Sequence, residues 1–381
     1  MNKFEKFKIG DIGKVVGGAT PSTSIDEYYG GTIPWLTPKD LSTFYGRYIS
    51  RGERNITVKG LRSCSAKMLP AGSILFTSRA PIGYVAIAKN PICTNQGFKS
   101  IIPLESVNNI FLYYLLKYNK ENIEAMGSGT TFKEVSGATM RNIEVNVPPL
   151  EVQMKIANIL SSLDDKIELN HRINDNLEQQ AQAVFKSWFV GFEPFKDGEF
   201  VESELGMIPK GWKVGRLSDL VEVKYGKDHK KLLSGSIPVF GSGGIMRYVD
   251  SALFTEESVL IPRKGTLNNV IYMDSPFWSV DTMFYSVMKV SHIAKYVYFF
   301  MSSKDLASMN AGSAVPSMTT EILNNLLLVI PSCHLLEQFD KTVSPLFAML
   351  RSNKIQNSNL AQLRDSLLPK LMSGELSVDP V

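Results

Sequence analysis

The sequence predicts an α+β fold in which two copies of a mixed α/β module are separated by two long helices that pair as an antiparallel coiled coil. Three observations predict it. The second half of the chain reads as a diverged copy of the first, each copy ends in an abrupt change from short strand signals to helical period, and charge divides along the same boundaries. The expected organisation is a first module at 1–149, a central helical spacer at 150–190, a linker at 191–207, a second module at 208–331, a C-terminal helical spacer at 332–373 and a tail at 374–381.

A chain of 381 residues, 44% hydrophobic and 20% charged, has the material for two to three ordinary domains and is neither wholly disordered nor fibrous. Its three cysteines, Cys64, Cys93 and Cys333, are too few and scattered for a disulfide framework, so a reducing cytoplasm is expected. The opening MNKFEKFKIGDIG has no apolar signal-like stretch, and the strongest apolar run, 326–330, is far too short to cross a bilayer. No membrane association is expected.

The repeat is read from offsets. GT at 129–130 and VP at 147–148 fall 183 positions before GS at 312–313 and IP at 330–331. Upstream the offset drifts: 74–76 matches 259–261 at 185, Asn95 and Phe98 match Asp281 and Phe284 at 186, and Asp11, Val15 and Gly18 match Asp219, Val223 and Gly226 at 208. A period this long is a duplicated domain with its helix, not a solenoid unit. Within each copy, 72–79 with 83–89 and 257–265 with 269–274 read as strand pairs, and 107–117 and 293–304 as aromatic-rich helices packed on the sheet. The Gly, Ser, Thr and Pro-rich stretches 17–50 and 224–248 read as loops, where recognition residues tend to sit.

Charge separates with the modules. Residues 1–147 hold 18 basic and 11 acidic residues, 148–205 hold 5 and 11, and 206–331 hold 13 and 10. This is the distribution of modules that face a polyanion and connectors that face protein, although the excess on the second module is ordinary for any soluble domain.

After Pro148-Pro149 neither Pro nor Gly recurs until Gly191, and apolar residues fall on a 3-4 spacing. The seam runs Ile156, Leu160, Leu163, Ile167, Asn170, Asn174, Leu177, Ala181, Val184, Trp188, and at offset 183 Phe339, Val343, Leu346, Leu350, Asn353, Asn357, Leu360. Nearly five heptads argue a coiled coil, and paired Asn in both stripes argue a fixed register. The alternative is that each helix caps its own module. Pro345 is expected to kink or interrupt the second stripe.

Catalytic signatures are absent: there is no GxxxxGK[ST], HExxH, GxSxG or Cys/His cluster, and His171, His229, His292 and His334 are isolated, so no catalytic residue, metal site or cofactor is expected. NVPPL at 146–150 only approximates an amino-methyltransferase motif, since Val147 interrupts it and Leu150 cannot stack on a base. FGSGG at 240–244 reads as a tight loop, not a cofactor site.

The chain resembles, over essentially its whole length, the specificity (S) subunits of Type I restriction-modification enzymes. The segments that carry the likeness are FKIGDIGKVVGGATPS (7–22), GTIPWLTPKDL (31–41), ILFTSRAPIGYVAI (74–87), CTNQGF (93–98), NVPPLEVQMKIANILSSLDDKIE (146–168), IPKGWKVGRLSDL (208–220), IPVFGSGG (237–244) and LRDSLLPKLMSGEL (363–376). The resemblance implies two target recognition domains, each reading half of a split double-stranded DNA sequence. It also implies helices that dock methyltransferase (M) subunits, typically two, and restriction (R) subunits that complete a nuclease. Candidate DNA-binding residues are Thr37, Lys39, Asp40, Arg79, Asn95 and Gln96 in the first module, and Lys227, Ser242, Arg263, Lys264 and Asn268 in the second. Phosphate contact is favoured for Lys39, Lys227 and Lys264. Asp40 can instead cap a turn, Arg79 pair internally and Asn95 hold its own loop. Two readings compete, a stand-alone DNA methyltransferase or nuclease and a coiled-coil protein scaffold without DNA reading; binding of S-adenosylmethionine or a steep salt dependence on duplex DNA separates them.

Overall fold

The computed structural model describes residues 4–129, 133–310 and 316–378. It divides into two compact units, Met1–Ile173 with Asn353–Val381 and Asn174–Ser352. The division crosses both long helices, Leu150–Phe189 and Cys333–Ser373, so each unit holds a stretch of each. Among the described residues no helix is long and apolar enough to cross a membrane.

In the first unit the chain enters on Glu5–Lys8, which pairs antiparallel with the exit strand Glu144–Val147. Asp11 then accepts the Lys8 N–H at 3.2 Å and starts the turn Ile9–Ile12. A five-stranded sheet follows in the order Gly13–Gly17, Lys99–Pro103, Ile74–Ser78, Ile82–Ala88, Tyr48–Ile49, and a smaller sheet in the order Arg54–Ile56, Tyr29–Leu36, Cys93–Thr94. The helix Asn109–Tyr118, capped by Asn108 accepting the Phe111 N–H at 2.9 Å, buries Phe111, Tyr114 and Leu115 in the core. That core continues through Ile156, Ala157 and Leu160 of one long helix and Leu371 and Met372 of the other.

The second unit repeats this frame. Lys213–Arg216 pairs with Leu327–Ile330, the larger sheet runs Val221–Tyr225, Met283–Met288, Ser258–Pro262, Ile271–Met273, and the smaller runs Gly244–Val249, Ser234–Gly241, Trp278–Ser279. Ala294–Ser302 stands where Asn109–Tyr118 stands in the first. The offsets of 208 and 183 hold in the strand registers, Gly13↔Pro103 matching Val221↔Met288 and Glu5↔Val147 matching Lys213↔Ile330. The expected offset of 186 is corrected to 185: Asn95 and Val280 donate to the equivalent carbonyls of Leu36 and Phe240, so Asn95 corresponds to Val280, not Asp281. An aromatic at both Phe98 and Phe284 draws a one-residue slip when only side chains are compared. Of the 129–130 and 312–313 match, residues 130, 312 and 313 lie outside the described residues, as do 379–381 of the tail.

Gly18 and Gly226 occupy one equivalent place. A Cβ on Gly18 would stand 2.2 Å from the Thr94 and Asn95 carbonyl oxygens, and one on Gly226 2.0 Å from that of Val280, so only glycine lets the chain pass.

The stretches 17–50 and 224–248, expected as loops, contain the strands Tyr29–Leu36, Ser234–Gly241 and most of Gly244–Val249, and the helical turn Pro38–Ser42. Bulges hide them. Tyr29 and Ile33 both face Ile56, and Ser234 and Ile237 both face Val249, with Gly31 and Gly235 at the close approach. Residues 30–32 in one strand and 235–236 in the other stand outside the ladder and interrupt the regular two-residue alternation by which a strand is recognised.

In the first unit Asn170 Nδ2 donates to Gln356 Oε1 at 2.7 Å and Asn357 Oδ1 at 2.8 Å, and Arg364 Nη1 to Asp164 Oδ1 at 2.6 Å, so the two helices run antiparallel. Ile156, Leu160, Asn170, Asn174, Leu177, Phe339, Val343, Leu350 and Asn357 are buried; Leu163, Ile167, Leu346, Asn353 and Leu360 are half-buried. The end of the expected stripe is corrected: Phe185 and Phe189 are buried, whereas Val184 and Trp188 are half-buried. Here the first long helix packs on Tyr296 and Phe299 of the module as well as on Phe339, and four-residue steps keep that wider face inward. Cys333–Ser373 is not interrupted at Pro345, which is exposed, as is Lys341 one turn earlier, where water can reach the carbonyl that proline leaves without its donor.

Candidate nucleic-acid interface

Three turns of the first module meet on one polar surface. The Asn95 N–H donates to the Leu36 carbonyl at 2.8 Å, and a Cβ on Gly97 would stand 2.7 Å from Pro38, so the turns at 37–40 and 95–97 lie against each other. The Ser78 N–H reaches the Gly97 carbonyl at 2.7 Å, which brings Arg79 alongside. Thr37 and Asp40 hold this surface: Asp40 accepts the Thr37 N–H and hydroxyl at 2.7 and 2.8 Å and the Glu53 N–H at 2.7 Å. Asn95 Oδ1 accepts the Gly97 N–H at 2.9 Å, and Gln96 Oε1 accepts from the Thr20 hydroxyl. Of the three cations here, Lys39 is the most exposed and Lys99 the least. Lys39 pairs with Glu53 at 2.9 Å in full exposure, a contact that raises the lysine pKa yet is weak enough in water to yield to a phosphate. Arg79 and Lys99 share Glu134 at 3.5 and 3.0 Å.

The second module builds the same place from other residues. Arg263 and Lys264 donate their N–H groups to the Thr282 carbonyl at 2.8 and 3.2 Å, and Arg263 Nη1 donates to the Asp281 carbonyl at 3.0 Å. The Lys227 N–H donates to the Ser279 carbonyl at 2.7 Å, and the Ser242 carbonyl accepts from Asn269 at 2.8 Å. Lys264 bridges Ser317 as Arg79 bridges Glu134, so a cation is kept while its acidic partner is not. Asn268 stands apart from this cluster, donating to Asp305 at 3.2 Å and accepting the Ala307 N–H at 2.9 Å. FGSGG is a hairpin connection between two strands, and Asn146 of NVPPL lies in the exit strand opposite Lys6. Among the described residues no group of three or more His, Cys, Asp or Glu is placed to hold a metal ion.

Buried cations that tie module to helix went unread in the sequence. Arg47, 5% exposed, donates to Asp165 at 2.5 Å and to the Tyr114 hydroxyl at 3.4 Å; burial opposes its charge, but Tyr114 and Asp165 outweigh it and raise its pKa. Tyr114 in turn donates to Asp164 at 2.5 Å. In the second unit Lys295, 4% exposed, pairs with Asp340 at 2.8 Å and Glu257 at 3.0 Å, and His292 with Asp340 at 3.0 Å. The only signal available was charge inside otherwise apolar segments, which does not name a partner.

A family model described as the Type I restriction modification DNA specificity domain matches residues 1–179 and 209–362. A specificity subunit of the Type I restriction enzyme MjaIX from Methanocaldococcus jannaschii is 40% identical over 403 residues, covering 98% of this chain and 93% of that protein. The HindI specificity subunit of Haemophilus influenzae is 24% identical, over 84% of this chain and 90% of that protein. The solved S subunit from M. genitalium shares the fold at a TM-score of 0.60 and 18% identity, over 97% of this chain and 96% of that one. With both repeats matched and such a relative aligned almost end to end, the chain belongs to the Type I restriction-modification specificity subunits, the sequence-specific DNA-binding and non-catalytic component of those complexes.

Proposed function

We propose that the two recognition domains, 1–149 and 208–331, each read one half of a bipartite duplex target, while the helical segments 150–190 and 332–373 set the distance between the halves and dock two methyltransferase subunits. Restriction subunits complete the nuclease, and the assembly works in the cytoplasm. The observation that carries this reading is one backbone frame used twice with different polar turns upon it: Thr37-Pro38-Lys39-Asp40 against Gly241-Ser242-Gly243-Gly244, and Arg79 against Lys264. Phosphate contacts position a protein on DNA and base contacts specify the sequence. Lys39, Lys227 and Lys264 fit the first task; Arg79, Gln96, Ser242 and Arg263 are the candidates for the second. Thr37, Asp40, Asn95 and Asn268 contribute chiefly by holding the turns, through the hydrogen bonds described above.

Exchange of residues 1–147 for the equivalent segment of a relative tests the reading. Methylome sequencing of the resulting strain should show one half of the target changed, with the other half and the gap unchanged. Change in both halves, or in neither, would refute it.

A further inference from the structure

The hairpin of Ser234–Gly241 and Gly244–Val249 ends in an exposed apolar tip to which phosphate contact gives no use. Its connection is Ser242-Gly243, closed by Gly241 facing Gly244. Phe240 faces Ile245 and Val239 faces Arg247, so Met246 is an extra residue in the ladder. Such a bulge re-aims side chains, and here Ile245 and Met246 are 52% and 58% exposed. Gly244–Val249 is also the outer strand of its sheet. Bare apolar side chains on a free edge invite unwanted association unless a partner covers them.

Charge indicates the partner. A Cβ on Gly241 would stand 2.8 Å from the Met246 sulfur and 3.4 Å from Thr282 Oγ1, which puts the tip beside the turn that holds Arg263 and Lys264. From the other side Arg247 Nη2 donates to the Leu232 carbonyl at 2.6 Å and the His229 carbonyl at 3.4 Å. That guanidinium ties the loop bearing exposed Lys227, Lys230 and Lys231 to the same strand. An apolar pair rimmed by cations matches a major groove, where phosphates form the rim and the thymine 5-methyl is the apolar group on a base edge.

We propose that Ile245 and Met246 are specificity-determining contacts of the second recognition domain, packing on the 5-methyl group of a thymine in its half-site. This rests on the reading that the second domain faces duplex DNA. The test uses the assembled methyltransferase complex and the target duplex identified by methylome sequencing, with each thymine of that half-site replaced singly by deoxyuridine, which removes only the methyl. At one position or more the replacement should weaken binding by about four-fold per buried methyl. The I245S/M246S complex should bind the thymine and uracil duplexes alike. The inference is overturned if uracil is tolerated throughout, if the half-site holds no A·T pair, if the doubly substituted complex keeps the wild-type sensitivity, or if the substitution abolishes assembly with the methyltransferase, which would mark the tip as a protein contact. The uracil comparison on unaltered protein needs no variant to fold. If only this contact is wrong, preference for the target over random duplex survives while the uracil series is flat; if the second domain does not face DNA, exchanging it leaves the half-site unchanged.

Discussion

Replacing Asn170 by leucine probes what the polar layer between the long helices contributes. Asn170 is 1% and Asn357 9% exposed, and the first donates to the second at 2.8 Å and to Gln356 at 2.7 Å. In Asn170→Leu the buried Asn357 Oδ1 loses its donor, which costs about 1–3 kcal/mol, while exposed Gln356 turns to water. Offsetting this, Asn170 Oδ1 is itself buried without a partner, and its removal returns part of that penalty. The net expectation is a loss of about 1 kcal/mol. Asn357→Leu should cost less, because Asn170 Nδ2 keeps Gln356. The double variant removes donor and acceptor together and should be near neutral or stabilising, a coupling of about 1 kcal/mol in its favour. Urea unfolding of the four proteins, followed by helical circular dichroism, completes the cycle. Additive losses in the double variant would mean that the Asn pair does not act as a unit, and the reasoning would fail.

Leu163→Asp should destabilise more than Asn170→Leu in the same assay, since it places a carboxylate in the half-buried seam in place of an apolar side chain. For Asp340, burial alone would raise the pKa, but hydrogen bonds from Lys295 and His292 win and hold it below the ordinary 3.8. Its contribution is therefore present above about pH 4 and lost as pH falls through the folded pKa, and Asp340→Asn should flatten that part of an acid-unfolding curve. Arg79→Ala in the assembled complex should lose about 1–3 kcal/mol of discrimination if the guanidinium reads a base. If it touches phosphate alone, specific and random binding fall together and the logarithmic salt slope shrinks by about 0.9; no change in either removes it from the DNA surface. Deleting one heptad from both long helices removes about 10 Å of rise, near three base pairs, and should shorten the gap without altering either half; an unchanged gap in the methylome refutes the spacer role.

Legibility followed the range of the interaction. The duplication and the long helices show in sequence because their signals are local and periodic, down to the Asn pair at offset 183. The smaller sheets were hidden because bulges at Gly31 and Gly235 break alternation. In the site, Thr37-x-x-Asp40 has the spacing of a helix-start cap and serves as one, which sequence alone could not separate from a DNA contact. Arg47 and Lys295 were unreadable because their partners, Asp165 and Asp340, lie far along the chain and only folding brings them near.

Both modules open and close on a single pair of strands, Glu5↔Val147 in one and Lys213↔Ile330 in the other. Entry and exit therefore occur at the same spot, so each module closes on itself at the strand from which a long helix departs. Recombination between relatives at those strands would move a cassette with its own turns and most of its core, while its buried contacts with the helices, Arg47 with Asp165 and Lys295 with Asp340, would have to be met by the recipient. Exchange in one genetic step would therefore succeed most readily between relatives that keep those acidic partners on their helices.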